Sequence, residues 1–223
     1  YTRPDTVWLH IGETDVCVAA FSNTGQKLAR GIANNIEPLL RNQAAYLGGK
    51  LPVDAYCFMM YHTLGSPNSY SGDGLEHATS TLCLLQCPLD SGAVGDFVYG
   101  LASHEFFHIV TPLNIHSENI QEYDFVQPTM SRHLWLYEGM TEYATIHMPV
   151  WQGMDDGFRS FLQKIADKLQ QMSKFDDALP LEKLSLEAME RQDQYYNVYL
   201  KGTFVCLLLD LELRQRSHGK YGT

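Results

Sequence analysis

Apolar and polar residues alternate in two runs near the start of the chain, "DTVWLHI" and "TDVCVAAFS". This period of two predicts two short strands around Gly12. The next stretch, "GQKLARGIANNIEPLLRNQAAYLGG", shifts to helical spacing and stops at the pair Gly48-Gly49. "VDAYCFMMYH" is short and β-prone, "SPNSYSGDGLEH" reads as a loop, and "TSTLCLLQC" reads as a strand with Cys83, Leu85 and Cys87 on one face. From about Gly92 the period lengthens again. Phe97, Val98, Leu101 and Glu105 fall on adjacent helical turns, and Pro112 is the expected stop. Three more helices follow: "SRHLWLYEGMTEYATIHM", the amphipathic "GFRSFLQKIADKLQQM" with Phe158, Phe161, Leu162, Ile165 and Leu169 on its apolar stripe, and "YNVYLKGTFVCLLLDLELRQR". Strands precede helices, so the expected class is α+β, an N-terminal mixed sheet followed by a mainly helical half.

No linker-like segment interrupts the pattern, and residues 1–223 read as one domain. Its parts are a strand-helix lead-in over 1–50, strands over 51–90 and a helical part over 91–223. The chain starts at Tyr1, directly ahead of a strand, and is read as a piece of a longer protein. The formal net charge of −10 argues against nucleic acid and anionic membrane surfaces as partners. The most apolar run, "TFVCLLLDLEL", carries Asp210 and Glu212 and reads as a core helix rather than a span. Five cysteines, without a CxxC pair, read as free thiols, mostly buried.

Candidate chemistry centres on "SHEFFHIVTPLNIHSE". His104 and His108 stand at i and i+4, one helical turn apart, so both rings can reach one Zn²⁺ with Glu105 left beside its water. A third His six residues after the second is excluded, because that position is Asn114, and His116 lies two residues further, beyond Pro112. A Glu on a following helix is the other way to complete such a site. "HLWLYEGMTEYA" offers Glu138 as the ligand and Glu142, a turn later, as the group that holds a ligand histidine by its second ring nitrogen. The bland alternative is a helix with two solvated carboxylates. Leu134, Trp135, Leu136 and Tyr137 oppose it, since a carboxylate in an apolar setting needs a partner or a metal.

These residues resemble the gluzincin metallopeptidases, in which "HEFFH" is followed by a WLxEG helix. "SGDGLEH", Ser71 to His77, narrows the resemblance to the glycyl aminopeptidase family. The likeness runs over roughly Pro52 to Leu213. It implies a thermolysin-like zincin catalytic domain, joined in the whole protein to an N-terminal β domain and a C-terminal PDZ domain. Zinc is the implied cofactor, a peptide the implied partner, and the periplasm or the exterior the implied location. Gly74 and Glu76, with Leu75 and His77, match the family's GLEH loop, where Glu76 is the implied anchor for the substrate's free amino group. "YLKG" matches the aminopeptidase N-type Tyr-x-Lys-Gly, which makes Tyr199 the implied donor to the oxyanion, with Tyr195 and Tyr196 as rivals. The chain departs from the family after His108. Val110 follows, and no Lys or Arg occurs before Arg132, where many members carry a Trp and a basic stretch. That departure bears on the preference for small first residues such as Gly or Ala, not on the ligands or Glu105.

The expected activity is therefore a zinc-dependent aminopeptidase with Glu105 as general base. A zinc endopeptidase with the same site differs only at Glu76, since an endopeptidase has no use for an amine anchor. A peptide-binding domain without turnover is the third reading. A purely structural zinc site is disfavoured, because such sites are closed by four ligands and favour Cys.

Overall fold

The computed structural model describes residues 3–66, 70–88, 91–124, 126–154 and 156–222, with the side chains of 91–94 and 96 left aside. The chain forms two compact units, Tyr1–Ile109 and Val110–Thr223.

In the first unit the alternating runs become β1 (Asp5–Ile11) and β2 (Thr14–Ser22), whose inward residues include Val7, Leu9, Val16 and Val18. They pair antiparallel with Ile11 opposite Thr14, leaving Gly12 at φ 63° in a two-residue turn. Helix α1 (Ala29–Tyr46) then carries the chain to β3 (Ala55–Leu64), which pairs parallel with β2. Gly48 and Gly49 follow the helix at φ 95° and 108°, and the Gly49 amide donates to the Ala44 carbonyl. The helix thus stops where its glycine pair predicts.

Two further strands complete a mixed sheet of order β1-β2-β3-β5-β4. β5 (Ser80–Cys87) is parallel to β3, and β4 (Ser71–His77) is antiparallel to β5 at the edge. The loop expected over "SPNSYSGDGLEH" is therefore corrected: its second half is strand β4, and residues 67–69 lie outside the described ones. Gly72, Asp73 and Gly74 are poor strand formers by themselves. The register with β5, from Ser71 opposite Gln86 to His77 opposite Ser80, supplies what local preference lacks.

Helix α2 (Ser91–Phe107) lies against α1, β4 and β5. It ends at Phe107, short of the expected stop at Pro112. The Ile109 amide bonds to the Phe106 carbonyl, so the ladder tightens into turns before the proline is reached. Val98, Ala102 and Phe106 are buried, with the Phe106 ring 5.0 Å from that of Tyr56. The buried Gln43 of α1 donates to the Ser103 carbonyl at 3.0 Å and ties the two helices together.

The second unit is helical: α3 (Glu118–Gln121), α4 (Leu134–Trp151), α5 (Gly157–Met172), α6 (Leu181–Leu186) and α7 (Asn197–Arg216). α4 and α7 approach to backbone contact at two glycines. A Cβ on Gly139 would lie 2.6 Å from the Gly202 Cα, and one on Gly202 would lie 2.5 Å from the Trp135 carbonyl oxygen. α5 is a helix as expected, but only one margin of its apolar stripe is covered: Phe158, Leu162 and Leu169 are exposed, Phe161 and Ile165 half-buried, and Lys168, beside those two on the helix, buried. Cys83, Cys87 and Cys206 are buried, Cys17 and Cys57 half-buried, and all five are free thiols. Among the described residues no helix is long and apolar enough to cross a membrane.

Candidate active site

In the first unit α2 presents His104 and His108 with ring centroids 4.8 Å apart, the separation expected one turn along a helix. His108 falls just past the helical ladder and is still 2% exposed; Glu105 is 5% exposed and His104 half-buried. Edge strand β4 brings Glu76 to the same place. Glu76, Glu105 and His108 each offer one ligating atom, and these atoms lie within 4.8 Å of one another. The "GLEH" residues thus sit on a strand paired to β5, with Gly74 opposite Cys83 and Glu76 opposite Thr81.

Two neutral groups flank the Glu105 carboxylate besides Glu76 and His108. Burial pushes the Tyr56 phenol far up, and the charges of Glu105 and Glu76 add to the effect. Burial, followed by the charge of Glu105, pushes the Cys83 thiol up to about 12. Both groups keep their protons at neutral pH, so neither adds negative charge beside the carboxylates. Tyr56 carries no motif that marks it in the sequence. Its only signal was position, on the same face of β3 as Phe58 and Met60.

In the second unit α4 carries Glu138, 8% exposed, directly beside the Gly139 crossing with α7. The apolar half of this helix is half-buried to buried, as its sequence implied. The Tyr137 hydroxyl donates to the Ser117 hydroxyl at 3.1 Å and fixes the start of the helix against the preceding loop. One turn on, a Glu142 carboxylate oxygen accepts from the Lys168 ammonium at 2.7 Å, a pairing the sequence did not reveal. Tyr199 lies one turn before Gly202 on α7. Its hydroxyl is 3.2 Å from that of Tyr195, and its ring stacks on Tyr196 at 5.6 Å. Tyr195 and Tyr199 pack with Trp135 against Leu179, Leu184 and Val198, whereas Tyr196 is 49% exposed.

The remaining histidines divide as their settings dictate. His62 is buried between the Ser22 hydroxyl and the Cys87 carbonyl, a structural role. His116 lies 2.6 Å from the Pro112 carbonyl, and His133 lies beside Tyr137.

Within the first unit, two imidazoles a turn apart are a donor pair that suits zinc. The trio of Glu76, Glu105 and His108 presents a negative face suited to a cationic group.

Residues 98–205 match the sequence model of the M61 glycyl aminopeptidases. No curated protein matches the chain in sequence. Among solved structures, an aminopeptidase N family protein from Idiomarina loihiensis superposes with a TM-score of 0.75 at 22% identity, over 98% of this chain and 39% of its own. An M1 zinc metallopeptidase from Deinococcus radiodurans does so with a TM-score of 0.52 at 16% identity, over 98% of this chain and 42% of its own. A mutant of that enzyme bound to a Tyr-Ser-Ala substrate gives 0.52 at 17% identity, with 98% and 42% covered. The chain therefore spans about two fifths of the length of these relatives. The resemblance read from "HEFFH" and "LWLYEGMTEYA" is borne out: residues 98–205 match the M61 glycyl aminopeptidases, "SGDGLEH" lying ahead of them, and the α+β fold is that of the solved aminopeptidase structures.

Proposed function

We propose that this chain carries the catalytic residues of a zinc-dependent aminopeptidase that removes the first residue, small ones such as Gly or Ala foremost, from peptides. The observation that carries the reading is the meeting of Glu76, Glu105 and His108 within 4.8 Å, which joins an amine anchor, a base and a metal ligand. Zinc, when held by His104, His108 and Glu138, supplies Lewis acidity that acidifies water and polarises the scissile carbonyl. Glu105 takes the water's proton and returns it to the leaving amine. Tyr199 donates a hydrogen bond to the carbonyl oxygen as charge develops there. Glu76 pairs with the substrate's ammonium and sets cleavage one residue in. Glu142, already paired to Lys168, orients a ligand histidine through its remaining acceptor capacity. The resemblance also underlies the flanking β and PDZ domains and the periplasmic or secreted location, and the greater length of the relatives supports the former.

Matched peptides with free and N-acetylated termini, each led by Gly, Ala or Leu, test this directly by mass spectrometry. The expected outcome is release of the first residue from free peptides alone, lost with a chelator and in Glu105→Gln with zinc retained. Internal cleavage of both sets would remove the anchor role of Glu76 and leave an endopeptidase. Stoichiometric zinc with neither set cut, in the full-length protein, would leave a peptide-binding domain. Activity of Glu105→Gln above a tenth of wild type would sink the base assignment.

A further inference from the structure

We propose that Gly74 is a positioning residue for the general base: the missing side chain at 74 is the seat into which the Glu105 carboxyl folds. The proposal rests on Glu105 being that base. Gly72 and Gly74 share one face of β4, and α2 lies across that face. A Cβ at Gly72 would stand 2.5 Å from Phe97 Cζ, 2.9 Å from the Leu84 carbonyl oxygen and 3.2 Å from Leu101 Cδ2. A Cβ at Gly74 would stand 2.1 Å from both Cδ and Oε1 of Glu105 and 2.6 Å from its Cγ. Phe97, Leu101 and Glu105 are spaced by four and form one stripe of the helix. The two glycines are therefore a track on which this stripe rests, Gly72 under its apolar part and Gly74 under the carboxyl.

The two positions differ in what a methyl group meets. At Gly72 it meets a backbone oxygen of β5, which cannot yield without disturbing the sheet. At Gly74 its three nearest atoms all belong to the far end of one flexible side chain. Nothing in the Gly74 backbone requires glycine either, since its φ is not among the positive ones. An alanine at 74 is thus compatible with the fold and incompatible with the present place of the Glu105 carboxyl. Cys83, opposite Gly74, is fully buried and closes the floor of the seat, so the displaced carboxyl has to move away from the sheet.

The test compares Gly74→Ala, Glu105→Asp, Glu105→Gln and the double Gly74→Ala/Glu105→Asp in the full-length protein. Crystal structures, zinc stoichiometry, melting temperature and steady-state kinetics on a free-amine peptide are the readouts. Gly74→Ala is expected to keep one zinc per chain and a melting temperature within a few degrees of wild type. Its structure should show the Glu105 carboxyl displaced by about 1 Å, a shift that costs about a hundredfold in kcat with KM little changed. In the Glu105→Asp background, where the carboxyl is one carbon shorter, the same alanine should cost under about threefold, because the two changes act through one group. An unmoved carboxyl in Gly74→Ala would overturn the proposal. So would a rise in KM at constant kcat, which would make Gly74 a substrate contact, or equal losses in both backgrounds. Retained turnover in Glu105→Gln would instead overturn the underlying assignment, and the proposal with it.

Discussion

Lys168 is a cation with 9% of its side chain exposed, 2.7 Å from a Glu142 carboxylate that is itself 23% exposed. Two charges paired at such low exposure depend on one another, so removing Lys168 leaves the Glu142 charge without that cation. Lys168→Met should therefore lower the free energy of unfolding by about 3 kcal/mol. The double variant Glu142→Gln/Lys168→Met should recover most of that loss. Urea denaturation of the three proteins checks both statements, and additive losses would show that the pair is not coupled. At this scale the sequence was legible where chemistry dictates residue type at a helical spacing. His104, Glu105 and His108, then Glu138 and Glu142, stand out for that reason. Lys168 did not, because a lysine three residues after Ile165 reads as the solvated margin of the α5 stripe, whereas the opposite margin, Phe158, Leu162 and Leu169, is the exposed one.

The helices of the second unit are held by a crossing with no room for a side chain. Gly139 follows Glu138 directly, and Gly202 closes the "YLKG" stretch, so the α4–α7 contact fixes the helices that carry Glu138 and Tyr199. Gly202→Ala puts a methyl 2.5 Å from the Trp135 carbonyl oxygen and must part the helices. The expected cost is about 3 kcal/mol of stability by denaturation, at the upper end of overpacking because the obstacle is backbone. A loss below about 0.5 kcal/mol would refute the crossing as a constraint. On the same helix His147 stacks on Tyr143 at 5.2 Å. Burial holds its pKa below the ordinary 6.5, partly opposed by Asp210. The unfolded chain then takes a proton near 6.5 that the folded chain refuses until lower pH. Stability is full above 6.5 and falls as pH drops from there to the folded value. Denaturation at pH 7.5 and 5.5 should show this loss in wild type and a smaller one in His147→Gln; equal slopes would exclude His147 as the source. Helices and inner strands were legible because their apolar periods are long and regular. β4 was not: its glycines mimic a loop, and its pairing is with residues after it in the sequence.

At the scale of the whole chain, the proposed ligands His104, His108 and Glu138 tie metal binding to folding. An ion bound by all three recognises only folded chains. Zinc should therefore stabilise the protein by linkage, with a free energy of RT ln(1 + [Zn]/Kd) that reaches about 2.7 kcal/mol at a free concentration one hundred times Kd. The stabilisation should vanish with a chelator. It should also fall sharply in His104→Ala and in Glu138→Ala, while Glu105→Gln, which leaves every proposed ligand in place, should keep it. Urea denaturation with and without zinc reads these outcomes without any substrate, so they stand apart from turnover. If Glu138→Ala kept the full zinc effect while His104→Ala lost it, Glu138 would not be a ligand of the metal. Glu76, within 4.8 Å of Glu105 and His108, would then be the carboxylate to examine as its ligand instead of as an amine anchor.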